Sequence, residues 1–143
     1  MNTLAEAGWT EHRVPGFSVH VGPFLTREID GERRFAFRAE EHHLNGNGVV
    51  HGGMLMTFLD QAIGTTVWHA IGRVPCATIQ LNVHFVAGAK LGDLIEAHTH
   101  IVRRTSTVVF TRGTLKRGEE VLVSGDGIWK VLRPNADTPS PRW

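Results

Sequence analysis

The sequence predicts an α+β domain in which one curved antiparallel β-sheet wraps a single long central helix. Three observations carry this reading. The run from Met54 to Ile71 is apolar almost throughout and is long enough for roughly five helical turns. Stretches that alternate apolar and polar residues flank it on both sides, with the period of two expected of half-buried strands. Turn signals built on glycine separate those stretches, and only one long helical pattern is present. A helix that is apolar nearly all round has to be covered on most of its faces. A sheet curled around it does this, and a second copy of the chain would cover the edges that remain.

The elements follow in order. Residues 1–15 carry little pattern and read as an arm, with Trp9 as its anchor onto the domain. Phe17-Ser18-Val19-His20-Val21 alternates as a strand does, and Gly22-Pro23 interrupts it. Asp30-Gly31 is a hairpin turn signal. From Arg33 to Ala39, Phe35 and Phe37 share one face, and Arg34, Ala36 and Arg38 share the other. The helix ends at Gly72, and Pro75 prevents its continuation. Four strand-like runs come next. From Cys76 to Val86, Ile79, Leu81, Val83 and Phe85 fall on one side, with Thr78, Gln80, Asn82 and His84 on the other. Leu94–Val102, Thr107–Leu115 and Val121–Leu132 complete the set, the last thinned by Gly125 and Gly127. The domain therefore spans 16–133, and the proline-rich polar stretch 134–143 reads as a mobile tail.

Composition excludes several function classes. A chain of 143 residues with 41% hydrophobic and 20% charged residues suits one globular domain. A net charge of +1 argues against nucleic acid or an anionic membrane as partner. The single cysteine, Cys76, allows no internal disulfide, and with no signal-peptide pattern at the start the cytoplasm is the expected compartment. The Met54–Ile71 run contains Asp60, Gln61 and His69, which argues against a membrane span.

Chemistry concentrates where a polar, glycine-rich loop, His42 to Gly53, feeds the helix. The free N–H groups of a helix start favour an oxygen carrying negative charge. Gly52 and Gly53 would let such an atom approach the backbone closely. Asp60 is an acid in an apolar helix, and burying it carries a desolvation cost that asks for a partner, a wet cavity or a catalytic task. It lies eight residues beyond Gly52, about 12 Å along the axis, which is further than an aspartate side chain reaches. If both serve one reaction, a second copy must supply one of them. Asn45 could donate to a carboxylate or simply hold a turn; His51 could donate to a substrate or cap the loop; Thr78 could orient a water. His42-His43 and His98 with His100 lack a third ligand for a metal, so none is expected. Cys76 has no paired base and reads as structural.

The stretch His43-x-Asn45-x-x-Gly48-x-x-His51-Gly52-Gly53 followed by Asp60 resembles the signature of hotdog-fold acyl-CoA thioesterases, in particular their phenylacetate-degradation branch. Asn82 and the turn Ala89-Lys90-Leu91-Gly92-Asp93 also resemble that branch. The resemblance implies a long helix wrapped by an antiparallel sheet, sheets joined side by side in pairs, often pairs of pairs, and sites at subunit interfaces. It implies Asp60 as nucleophile or general base, the Gly52 N–H, helped by Gly53, polarising the thioester carbonyl, and Asn45, His51 and Thr78 as helpers. No cofactor is implied, since coenzyme A belongs to the substrate. Met54, Phe58 and Trp68 are candidate wall residues for the acyl group. Lys90, Arg103, Arg104 and Arg117 are available to its phosphates, with nothing in the sequence to choose among them. A hotdog hydratase or dehydratase using His51, and a non-catalytic acyl-CoA-binding module, are the alternatives.

Overall fold

The long helix forms where the apolar run requires it. In the computed structural model, which describes residues 4–132, helix α2 spans Gly52–Ala70. His51 caps its start. Gly72, at φ 79°, turns the chain away at its end, and Arg104 donates to the Ala70 carbonyl there. The expected tail from 134 and the boundary at 133 lie outside the described residues. No helix among the described residues is long and apolar enough to cross a membrane.

The strands are β1 (Thr10–Glu11), β2 (Leu25–Ile29), β3 (Glu32–Arg38), β4 (Cys76–Phe85), β5 (Leu94–Arg104), β6 (Val108–Arg117) and β7 (Glu120–Val131). They form one antiparallel sheet in the order β1-β2-β3-β5-β6-β7-β4. Helix α2 packs across β4 to β7 and buries Leu55, Phe58, Leu59, Ala62, Ile63 and Val67. The expected helix wrapped by a sheet is thus what forms. Close approach of the two layers depends on glycine. A Cβ on Gly113 would stand 2.8 Å from Leu59 Cδ1, and one on Gly125 would stand 2.8 Å from Leu59 Cδ2. Those glycines pair across β6 and β7, making a trench into which Leu59 drops.

Three expectations need correction. Phe17–Val21 is a short helix, α1, not a strand. Its alternation has no sheet face to serve, because Phe17 and Val19 stay 65% and 61% exposed. The Gly22 N–H closes the turn onto the Ser18 carbonyl at 2.9 Å. The strand entering the Asp30-Gly31 turn is β2 instead, with the register Ile29↔Glu32. The arm also contributes β1, and its Trp9 is buried with Leu25 and Ala36 on the second face of β3, under the Arg27 guanidinium. So both faces of β3 are covered, not only the Phe35 and Phe37 side.

The third correction concerns β4. Its alternation does not run straight through. The pairing with β7 goes from Thr78↔Trp129 to Gln80↔Ile128, leaving Ile79 as an extra residue in a bulge. A bulge reverses which face the preceding side chains take. Ile79 is therefore 55% exposed, while Leu81 and Val83 pack on the core. Thr78 is moved onto their face, toward α2, where a straight strand would have turned it away.

Candidate active site

Asp60 sits half-buried at the middle of α2, and Thr78 Oγ1 donates to its Oδ1 at 2.7 Å. The bulge in β4 makes this bond possible. The carboxylate opens onto a cavity of about 150 Å³. Along α2 that cavity is lined by Asp60, Gln61, Gly64, Thr65 and Trp68. From the sheet come Cys76, Thr78 and Trp129, and from the segment after β1 come His12, Arg13 and Val14. The Gln61 side chain next to the acid is fixed on two sides. It accepts from Ser18 Oγ of α1 at 3.0 Å and donates to Thr65 Oγ1 at 3.3 Å.

Cys76 lines the same cavity, and its thiol is pushed up from 9.0 to about 11, first by burial and then by the Asp60 charge. It stays protonated at neutral pH and is a poor nucleophile, in keeping with a structural role.

At the helix start, the Gly53 N–H donates to His51 Nδ1 at 2.8 Å. The ring lies close over Gly53, where a Cβ would meet Nδ1 at 2.9 Å. His51 thus caps the helix with an unprotonated ring nitrogen. With Gly53 engaged, the Gly52 N–H is the one that donates to no acceptor among the described residues. The Phe85 ring of β4 lies beside Gly52, 3.4 Å from the position a Cβ would take. Asn45 Oδ1 accepts from the N–H groups of Asn47 and Val49 at 2.9 and 3.3 Å, which fastens the loop. Its amide nitrogen donates to nothing among the described residues. His43 is buried beneath the same loop, with Nδ1 accepting from the Glu40 N–H at 2.9 Å and Nε2 on the Val21 carbonyl at 2.7 Å. Burial is the main force holding its pKa below the ordinary value.

The sequence-predicted residues therefore form two groups. Asp60 and Thr78 meet at the cavity. Asn45, His51, Gly52 and Gly53 gather at the helix start, about 12 Å away along α2. Of the wall candidates, Trp68 lines the cavity. Met54 and Phe58 belong to the core, the Phe58 ring tilted against Phe24 and edge-on to Phe37. No sequence pattern marks His12, Val14 and Trp129 as wall residues, since only tertiary contact brings them there. Gln61, Gly64 and Thr65 have a signal in their spacing: with Asp60 they form one stripe of polar and small residues along a largely apolar helix, and Trp68 continues its line. Of the basic residues, Arg117 is paired with Asp93 and Glu120, and Arg104 caps α2. No cluster of three or more His, Cys, Asp or Glu able to hold a metal is found among the described residues.

This geometry has counterparts. The sequence profile of the thioesterase superfamily matches residues 47–124, which is more than half of the chain. A Pseudomonas aeruginosa protein named as a candidate esterase is 32% identical over 116 residues, covering 78% of this chain and 84% of that one. A crystal structure of a Bacillus halodurans protein with CoA superposes with a TM-score of 0.71 at 26% identity, covering 77% of this chain and 74% of that one. A phenylacetic acid degradation-related protein of Ralstonia eutropha, named as a candidate thioesterase, gives a TM-score of 0.73 at 26% identity, covering 84% and 92%. With this helix-in-sheet architecture and these matches, the chain belongs to the thioesterase superfamily, the hotdog-fold enzymes that hydrolyse thioesters.

Proposed function

We propose that the protein hydrolyses acyl-CoA thioesters to the free acid and coenzyme A, with Asp60 of one protomer facing the Gly52 N–H of a second. The observation that carries this is the Thr78–Asp60 hydrogen bond at the cavity, set against a helix-start N–H left without an acceptor among the described residues. The CoA bound to the Bacillus halodurans relative supports the substrate class. Asp60 attacks the thioester carbonyl directly or removes a proton from the attacking water. Charge gathers on the carbonyl oxygen, where one well-placed N–H is worth about 3 kcal/mol. The C–S bond then breaks and the CoA sulfur leaves as a thiolate that takes up a proton; on the direct route, water then hydrolyses the acyl–Asp60 anhydride, which returns the carboxylate and releases the acid. Asn45, through the loop its Oδ1 fastens, and His51, through the cap it makes, hold the helix start that receives the oxyanion. No cofactor enters this scheme.

The pairing follows from β4, which is a ten-residue edge strand. Asp60 marks Thr78 on it, and Gly52 marks Phe85. Two copies of β4 paired antiparallel about Asn82 would set the Thr78–Ile79 bulge opposite the partner's Phe85. Residues opposite each other in an antiparallel pair point to the same face. Asp60 of one copy would then stand beside the partner's Gly52, and the symmetry makes two such sites. Ile79 and Phe85, 55% and 54% exposed, would be covered by this contact.

The test is release of free thiol from a panel of acyl-CoAs by wild type and by Asp60→Asn. The variant is expected to lose about 10²–10⁴-fold in kcat while keeping its fold and oligomeric state. Wild-type turnover in Asp60→Asn removes the acid from this role, and hydration of an enoyl-CoA without thiol release would assign a hydratase instead.

A further inference from the structure

We propose that the strap His12–Val14 is the roof of the acyl pocket and limits the substrate to short acyl groups, up to about six carbons; this rests on the thioesterase reading above. The pocket runs along α2 from Asp60 to Trp68, eight residues or about 12 Å. Its volume is only about 150 Å³, and a cavity of about that size takes one benzene molecule. Opposite the helix stands the strap, and its placement is fixed at both ends. Upstream, β1 pairs with β2 and the His12 N–H donates to the Phe24 carbonyl at 2.8 Å. Downstream, Ser18 holds Gln61 beside the acid. Val14 between them is 8% exposed, so its isopropyl group is a wall rather than a mobile flap. His12 contributes the second part of the roof, with Nε2 enclosed and unpartnered among the described residues.

The part of the chain that matches the superfamily profile begins at residue 47. The strap lies wholly before it. The chemistry at Asp60 and Gly52 is therefore carried by the shared region, while the ceiling on acyl size is carried by a segment outside it. A single side chain in that segment should move the limit without touching the acid.

The test is the chain-length profile of kcat/KM for straight-chain acyl-CoAs from acetyl to dodecanoyl, measured on wild type, Val14→Ala and Val14→Phe. Wild type should peak at or below hexanoyl-CoA. Val14→Ala should raise the octanoyl-to-butanoyl ratio about tenfold or more, the smallest effect expected when a pocket gains room for a methylene. Val14→Phe should shift the peak toward acetyl-CoA. The same peak in all three proteins overturns the proposal. If wild type releases no thiol from any acyl-CoA, the thioesterase reading fails, and the roof is decided by binding. The dissociation constants of the same series on Asp60→Asn, with and without Val14→Ala, then support the strap if longer chains gain affinity and overturn it if their order is unchanged.

Discussion

Replacing Thr78 with valine tests whether the bulged strand positions the acid. Thr78 Oγ1 gives Asp60 a 2.7 Å hydrogen bond, and valine keeps the branched shape while removing the donor. A hydrogen bond to a charged group is worth about 1.5–3 kcal/mol. Thr78 is exposed, so water screens the pair and the lower end of that range applies. About 1.4 kcal/mol corresponds to a tenfold change in rate. Thr78→Val should therefore lower kcat by about tenfold with little change in KM, and Thr78→Ser, which restores the hydroxyl, should recover most of the loss. The assay is continuous thiol detection on the best acyl-CoA of the panel. A valine variant with wild-type kcat, or a serine variant as slow as the valine one, would refute the view that Thr78 positions the carboxylate.

Other expectations follow from the same structure. Gly113→Ala puts a methyl 2.8 Å from Leu59 Cδ1 and 3.0 Å from Ile63 Cδ1, so overpacking should cost about 1–3 kcal/mol; an unchanged melting temperature would show that Leu59 has room to move. Burial lifts the Cys76 pKa from 9.0 to about 11, so iodoacetamide should label the folded protein slowly at neutral pH and faster as pH climbs through that window. The linked effect on stability has a definite sign: between those values the native thiol keeps a proton that the unfolded one has lost, so stability should fall as pH rises from 9.0 toward about 11. Rapid labelling of the native protein near neutrality would contradict both statements. Ile79→Lys places a charge on the exposed bulge of the β4 edge and should weaken self-association in sedimentation velocity; an unaltered assembly would move the interface elsewhere.

The central helix and its acid were legible because a long apolar run has few other outcomes, and a lone Asp within it stands out. The helix start was legible through its glycines, although only coordinates reveal that His51 takes the Gly53 N–H and leaves Gly52 free. The sequence points to Thr78 in the right neighbourhood but on the wrong face. A strict period of two turns it away from the core, and the extra residue at Ile79 that reverses this leaves no mark in the pattern. Phe17–Val21 misled for a related reason. Five alternating residues fit one turn of helix as well as a strand, and in the helix Ser18 reaches Gln61 on α2. The roof over the pocket was invisible, since His12 and Val14 meet Asp60 only through the path that β1 and α1 give the chain.

The two margins of the sheet are unequal. One is β4, ten residues long, and the other is β1, only two residues long with both side chains exposed. A strand that short offers almost no backbone for another chain to extend. Lateral growth is therefore favoured at the β4 side, and once that side is occupied the other margin offers the ribbon little to extend. Were copies to pair through β4, strand addition would tend to end at two subunits, and any larger assembly would have to stack by surfaces other than these rims.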